Sequence, residues 1–123
     1  KEIEDTFFEK YRKDALKAID YAFGTNKFIE VKDESIVNLK VKLKDLIDQC
    51  GNYNTYEALA EVSLGQCLKS ASFLVKYERQ PIRFTFLFYK STDKWVVQDF
   101  SFDTKLTAEM EDKLKQKTEE AIK

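Results

Sequence analysis

The chain has 123 residues, enough for one compact domain and too few for two, because each half would sit near the lower limit for independent folding. Apolar residues make up 43% and aromatic residues 14%, against a formal charge of -1, a balance that excludes a disordered chain. With 3 Gly, 1 Pro and no His, the chain lacks the material for a glycine-rich phosphate cradle, a histidine metal site or an imidazole triad.

The basic charge is almost all lysine, the arginines being Arg12, Arg79 and Arg83. Lysine lacks the planar fork that grips phosphate bidentately. Lys113, Lys115 and Lys117 alternate with Glu109, Glu111, Asp112, Glu119 and Glu120, the pattern of a solvated, ion-paired helix face rather than a nucleic-acid footprint. No nucleic-acid partner, metal or cofactor is expected. The apolar runs are far shorter than the ~20 residues that span a bilayer, so no membrane span is expected either. Lys1 and Glu2 lead straight into a helical pattern without an initiator methionine.

From Ile3 to Phe23 the apolar positions Ile3, Phe7, Phe8, Tyr11, Ala15, Ala18, Ile19, Ala22 and Phe23 step mainly by three and four. That is one face of a long first helix. Gly24 is placed to end it through a left-handed C-cap, and Thr25 to Lys32 form a connector. Asp33 is the expected N-cap of a second helix, whose stripe of Ile36, Leu39, Leu43, Leu46, Ile47 and Cys50 closes at Gly51. Asn52 to Thr55 read as a turn. Beyond them β-branched and aromatic residues predict four strands.

Strand one is expected near Tyr56 to Gln66, with Gly65 as a bulge or bend. Strand two, near Cys67 to Arg79, turns Ala71, Phe73, Val75 and Tyr77 inward. After a turn at Gln80 and Pro81, strand three places Ile82, Phe84, Phe86 and Phe88 on one face and Arg83, Thr85, Leu87 and Tyr89 on the other. Ser91 to Lys94 turn the chain into strand four, Trp95 to Phe102, with Trp95, Val97 and Asp99 on one side and Val96, Phe100 and Phe102 on the other. A strand apolar on both faces is expected in the middle of a sheet or under a second cover. A last helix, with Leu106, Met110, Leu114 and Ala121 along a narrow seam, is expected to dock loosely and fray toward Lys123.

Helices gathered before hairpin-joined strands predict an α+β domain over residues 1–123. Two N-terminal helices pack on one face of a curved four-stranded antiparallel sheet, and a C-terminal helix follows. The two cysteines, Cys50 and Cys67, admit one bridge, two buried thiols or a zinc half-site lacking further ligands. Two small core residues is the preferred reading. A bridge would require an oxidising compartment.

The stretch Val75-Lys76-Tyr77-Glu78-Arg79-Gln80-Pro81-Ile82-Arg83-Phe84, continuing through Phe86, Phe88, Tyr89 and Lys90 to Lys94-Trp95-Val96-Val97 and Phe100-Ser101-Phe102-Asp103, resembles the closing strands of small cystatin-like domains. These belong to the nuclear-transport-factor-2-like superfamily. The resemblance implies a bent sheet wrapped on the N-terminal helices as a cone, and a periplasmic or secreted location after removal of a leader. It also implies pairing of two copies through the sheet. The expected role is a non-catalytic binding or self-association module, holding a small apolar ligand or a protein partner. The candidate cone lining is Tyr77, Phe84, Phe86 and Phe88. The alternative is an isomerase- or dehydratase-like enzyme, with Asp99 as a buried general base and Tyr77 or Tyr89 as hydrogen-bond donor. The last helix would cover the cone, shield a sheet edge or mediate self-association.

Overall fold

In the computed structural model, which describes residues 2–122, four helices and four strands follow in the order α1 (Glu2–Lys13), α2 (Ala15–Gly24), α3 (Glu34–Cys50), β1 (Tyr53–Leu64), β2 (Leu68–Tyr77), β3 (Ile82–Tyr89), β4 (Val96–Asp103) and α4 (Leu106–Ile122). The fold is α+β. The strands form one antiparallel sheet in sequential order, β1-β2-β3-β4. The expected fraying at Lys123 lies outside the described residues.

The long first helix is in fact two. Asp14 leaves helical geometry at φ -159 and ψ 105, and its carboxylate accepts a hydrogen bond from the Lys17 N–H. Aspartate inside a helix competes for backbone donors, and as an N-cap it satisfies one of the orphan N–H groups of the next helix. Spacing alone does not register this break, because Tyr11 and Ala15 keep the four-residue step across it. The result is two short helices that share one apolar side: Phe7, Phe8 and Tyr11 from α1, Ala18, Ile19, Ala22 and Phe23 from α2. At the far end of α2, Gly24 is not left-handed. The cap is Thr25 in right-handed geometry, whose hydroxyl donates to the Ala22 carbonyl.

Asp33 caps α3 by accepting from the Ser35 N–H, and the helix stops at Gly51 with φ 91, a backbone region open to glycine at little cost. The sheet then starts earlier than expected. Tyr53 pairs with Tyr77 and Thr55 with Lys76, so the asparagine-rich patch is mostly strand. Gly65, at φ 66, sits in the turn joining β1 to β2 rather than in a bulge. Cys67 lies in the same turn and is exposed, whereas Cys50 is buried. The expectation of two core cysteines holds only for Cys50. The thiols lie toward opposite ends of β2, whose ten residues span about 30 Å, so they are free.

The inner face of the sheet follows the alternation of its strands. Ala71, Phe73, Val75 and Tyr77 of β2 and Ile82, Phe84, Phe86 and Phe88 of β3 are buried. In β4 the alternation slips. Leu87 pairs with Asp99 but Phe88 pairs with Val97, which leaves Gln98 as an extra residue. This bulge brings Val97 and Phe100 to the same inner face, both buried, and puts Asp99 in register with outer-face Leu87. A strand that reads as apolar on both sides is therefore one-sided with a bulge. It lies at the edge of the sheet, not in its centre. That edge is held at Val97, whose N–H donates to Thr25 Oγ1 at 2.8 Å and whose carbonyl accepts from Asn26 Nδ2 at 3.3 Å.

The core is a lattice of rings. Phe7, fully buried, meets Phe86 edge-on at 4.9 Å between centroids and Phe84 at 6.1 Å, and lies 5.9 Å from Phe100. Phe8 stacks on Tyr56 of β1. Edge-to-face contacts of this kind add to the gain from burial area alone.

Candidate functional site

The four expected cone residues come together, as packed core. Phe84, Phe86 and Phe88 touch one another, Phe7 or Phe100, and the volume between α1 and the sheet is taken up by side chains. The Tyr77 hydroxyl is hydrogen-bonded to that of Tyr11. Burial pushes the Tyr11 hydroxyl far above the usual phenol range, the neighbouring Tyr77 adding to the effect. Tyr77 is also raised, burial outweighing its bond to Tyr11. Both remain neutral, so they act as a polar tie between α1 and β2 inside the apolar layer. Two neutral phenols closed on each other are poor proton carriers.

The other catalytic candidates lie apart from this pair. Asp99 is exposed on β4 and borders an open groove of about 440 Å³ with Phe23, Phe28, Ile29, Asp33 and Leu39. Its expected burial beside Val97 is undone by the bulge at Gln98. Tyr89, 42% exposed, sits at the end of β3 on the outer face. Asp99, Tyr77 and Tyr89 form no constellation: Tyr77 faces the interior while the other two belong to the outer register.

The helices α1 to α3 supply their buried residues to the inner face, and the outer face is left uncovered across most of its width. Its rows follow from the register. Glu57, Leu74, Arg83 and Asp103 form the first; Ala60, Ser72, Thr85 and Ser101 the second; Val62, Ser70, Leu87 and Asp99 the third; Leu64, Leu68, Tyr89 and Val96 the last. Small residues fill the middle and apolar ones gather toward the β1–β2 turn, where Val62 is 62% and Leu64 is 71% exposed.

Charges on this face are mostly internally matched. Glu57 meets Lys76 at 3.1 Å. Arg83 grips Asp103 through both Nε and Nη2 at 3.1 Å and reaches Glu109 of α4 through Nη1 at 2.9 Å. Burial opposes ionisation of Asp103, yet the Arg83 fork overrides it and holds the carboxyl below its ordinary range. The same bonds raise Arg83 further. Asp99 has no ion pair among the described residues.

Sequence reading placed Arg83 on this face but missed its fork to Asp103 and its reach to α4. It also missed the aromatic platform of Trp95, over which Lys69 and Lys90 each lie at 5.1 Å from the ring. The alternation in β3 fixes a face but not the direction of α4, so nothing local signals the Arg83–Glu109 contact. No helix among the described residues is long and apolar enough to cross a membrane. No family model, no curated protein and no solved structure matches the chain.

Proposed function

We propose that this chain is a cystatin-like module of the nuclear-transport-factor-2-like superfamily, without catalytic activity of its own, that works by self-association through the outer face of its sheet. One observation carries the reading. Every core-forming helix packs on one side of the sheet, while the opposite side presents a broad surface of small and apolar side chains with its charges largely paired off. Val62, Leu64 and Tyr89 on that side are exposed, and clustered exposed apolar side chains mark interaction surfaces. The filled cone favours a surface role over a chamber for a small ligand, and the exposure of Asp99 favours binding over general-base chemistry.

The test is multi-angle light scattering over a wide concentration range, on the wild-type chain and on Thr85→Lys. Thr85 lies at the centre of the outer face, where a lysine is tolerated in a monomer but opposes burial in an interface. A dimer that Thr85→Lys converts to a monomer supports the reading. A wild-type chain that stays monomeric at every concentration refutes it.

A further inference from the structure

We propose that the groove between the α2–α3 connector and β4 binds a small amphiphilic organic cation, an ammonium group carried on an alkyl or aryl body. The site lies at the β4 margin of the sheet and does not depend on self-association. The first observation is the lining. The apolar walls of this groove of about 440 Å³ are Phe23, Ile29, Ile36, Leu39 and Phe100, all buried or half-buried. Small-molecule sites have volumes of this order and are mostly apolar, with a few polar groups that fix orientation.

The second observation is charge. The charged residues bordering the groove are Glu30, Asp33 and Asp99, with no lysine or arginine beside them, although the chain as a whole is nearly balanced. None of the three has an ion pair among the described residues. Asp33 is partly committed to Ser35, whose N–H and hydroxyl donate to it at 2.9 and 2.7 Å. Glu30 from the connector and Asp99 from β4 are left as the uncommitted acids, one on each bank. The bulge at Gln98 is what brings Asp99 to this margin, since uninterrupted alternation would turn it inward, and bulges commonly re-aim a side chain in this way. An apolar groove with negative charge on both banks complements a cation with an apolar body.

The third observation is Phe28, which also borders the groove and is 85% exposed. The connector that carries it is fixed. Asn26, a buried polar residue, donates from Nδ2 to the Val97 carbonyl at 3.3 Å and accepts at Oδ1 from the Phe28 N–H at 3.0 Å. Its own carbonyl accepts from the Ile29 N–H at 3.1 Å. The ring is thus held in water by a tied loop, close to carboxylates. Aromatic faces attract ammonium groups, most strongly where water is excluded. Lys27, which does not border the groove, already lies over this ring at 5.2 Å from its centre, and the ring has a second face to offer.

The test is a titration of the full chain at neutral pH with hexylammonium, hexanol and hexanoate, followed by amide NMR. Saturable shifts are expected in residues 23–39 and 98–100, with hexylammonium binding about fivefold tighter than hexanol and hexanoate weaker than either. A fivefold preference is about 1 kcal/mol, the upper end for a solvated ion pair. The double variant Glu30→Gln/Asp99→Asn is expected to bring hexylammonium down to the affinity of hexanol, which serves as the internal reference for an intact groove. Phe28→Ala is expected to weaken hexylammonium about fivefold. Circular dichroism verifies folding of each variant. Absence of saturable shifts, equal affinity for the three probes, or a preference for hexanoate overturns the proposal. So do shifts confined to the outer face, or a cation preference that survives removal of both carboxylates.

Discussion

Replacing Phe7 by alanine distinguishes a packed core from a ligand chamber. Phe7 is fully buried and its ring contacts Phe8, Tyr11, Phe84, Phe86 and Phe100. Removing it leaves a void of roughly 80–100 Å³, costing about 2 kcal/mol at ~24 cal/mol per Å³, and forfeits about 2 kcal/mol more in transfer free energy. The sum, about 4 kcal/mol, is a large share of the ~5–15 kcal/mol that holds a domain of this size together. It corresponds to a fall in Tm of about 15 °C. The assay is urea unfolding followed through Trp95 fluorescence, with Phe28→Ala as the comparison. Phe28 is 85% exposed, and its loss is expected to cost under ~0.5 kcal/mol. A second readout is benzene binding by NMR, because an apolar void in a rigid core takes up such solutes. The Phe7→Ala chain is expected to bind benzene and the wild type is not. A loss below about 1 kcal/mol, or equal benzene uptake by the wild type, would refute the filled cone.

Two further outcomes follow from the hydrogen-bonding groups. Tyr11 and Tyr77 have folded pKa values raised above the unfolded value near ~10, so their contribution is complete below that pH and is lost as pH rises, when the unfolded chain releases protons that the native state retains. Stability should decline above pH ~10 by up to about 1.4 kcal/mol per pH unit for each phenol. The double variant Tyr11→Phe/Tyr77→Phe should flatten that alkaline limb in pH-dependent urea titrations, and an unchanged slope would contradict it. At the helix break, Asp14→Ala should cost about 1 kcal/mol and Asp14→Asn little, measured by thermal unfolding. Equal losses from the two would show that the cap is not what divides α1 from α2.

What could be read from the sequence depended on whether a local rule operated without interruption. Ile82 to Tyr89 alternate without a slip, and every inward residue of that strand was identifiable. Trp95 to Phe102 obey the same rule on either side of Gln98. The inserted residue reverses the parity midway, so Asp99 was assigned to the wrong side and an edge strand was mistaken for a central one. Asp14 escaped notice because the apolar spacing runs through it. Its extended backbone and capping carboxylate carry no periodic trace. Tyr53 and Thr55 read as a turn because asparagines flank them, but pairing with Tyr77 and Lys76 prevails over local preference. The candidate surface was half legible: Arg83, Thr85, Leu87 and Tyr89 follow from alternation, whereas the neutralisation of Arg83 depends on two acids twenty and twenty-six residues away.

The two margins of the sheet differ in a way that bears on aggregation. At β4 the backbone at Val97 is engaged by Thr25 and Asn26 and the ladder is interrupted at Gln98, so a foreign strand meets a blunted template there. At β1 a twelve-residue strand ends the sheet, warped by two register shifts. A molecule with one receptive rim can join a single neighbour rim to rim and then has none left to offer. Filament growth needs two such rims, and this asymmetry halts it at the first step.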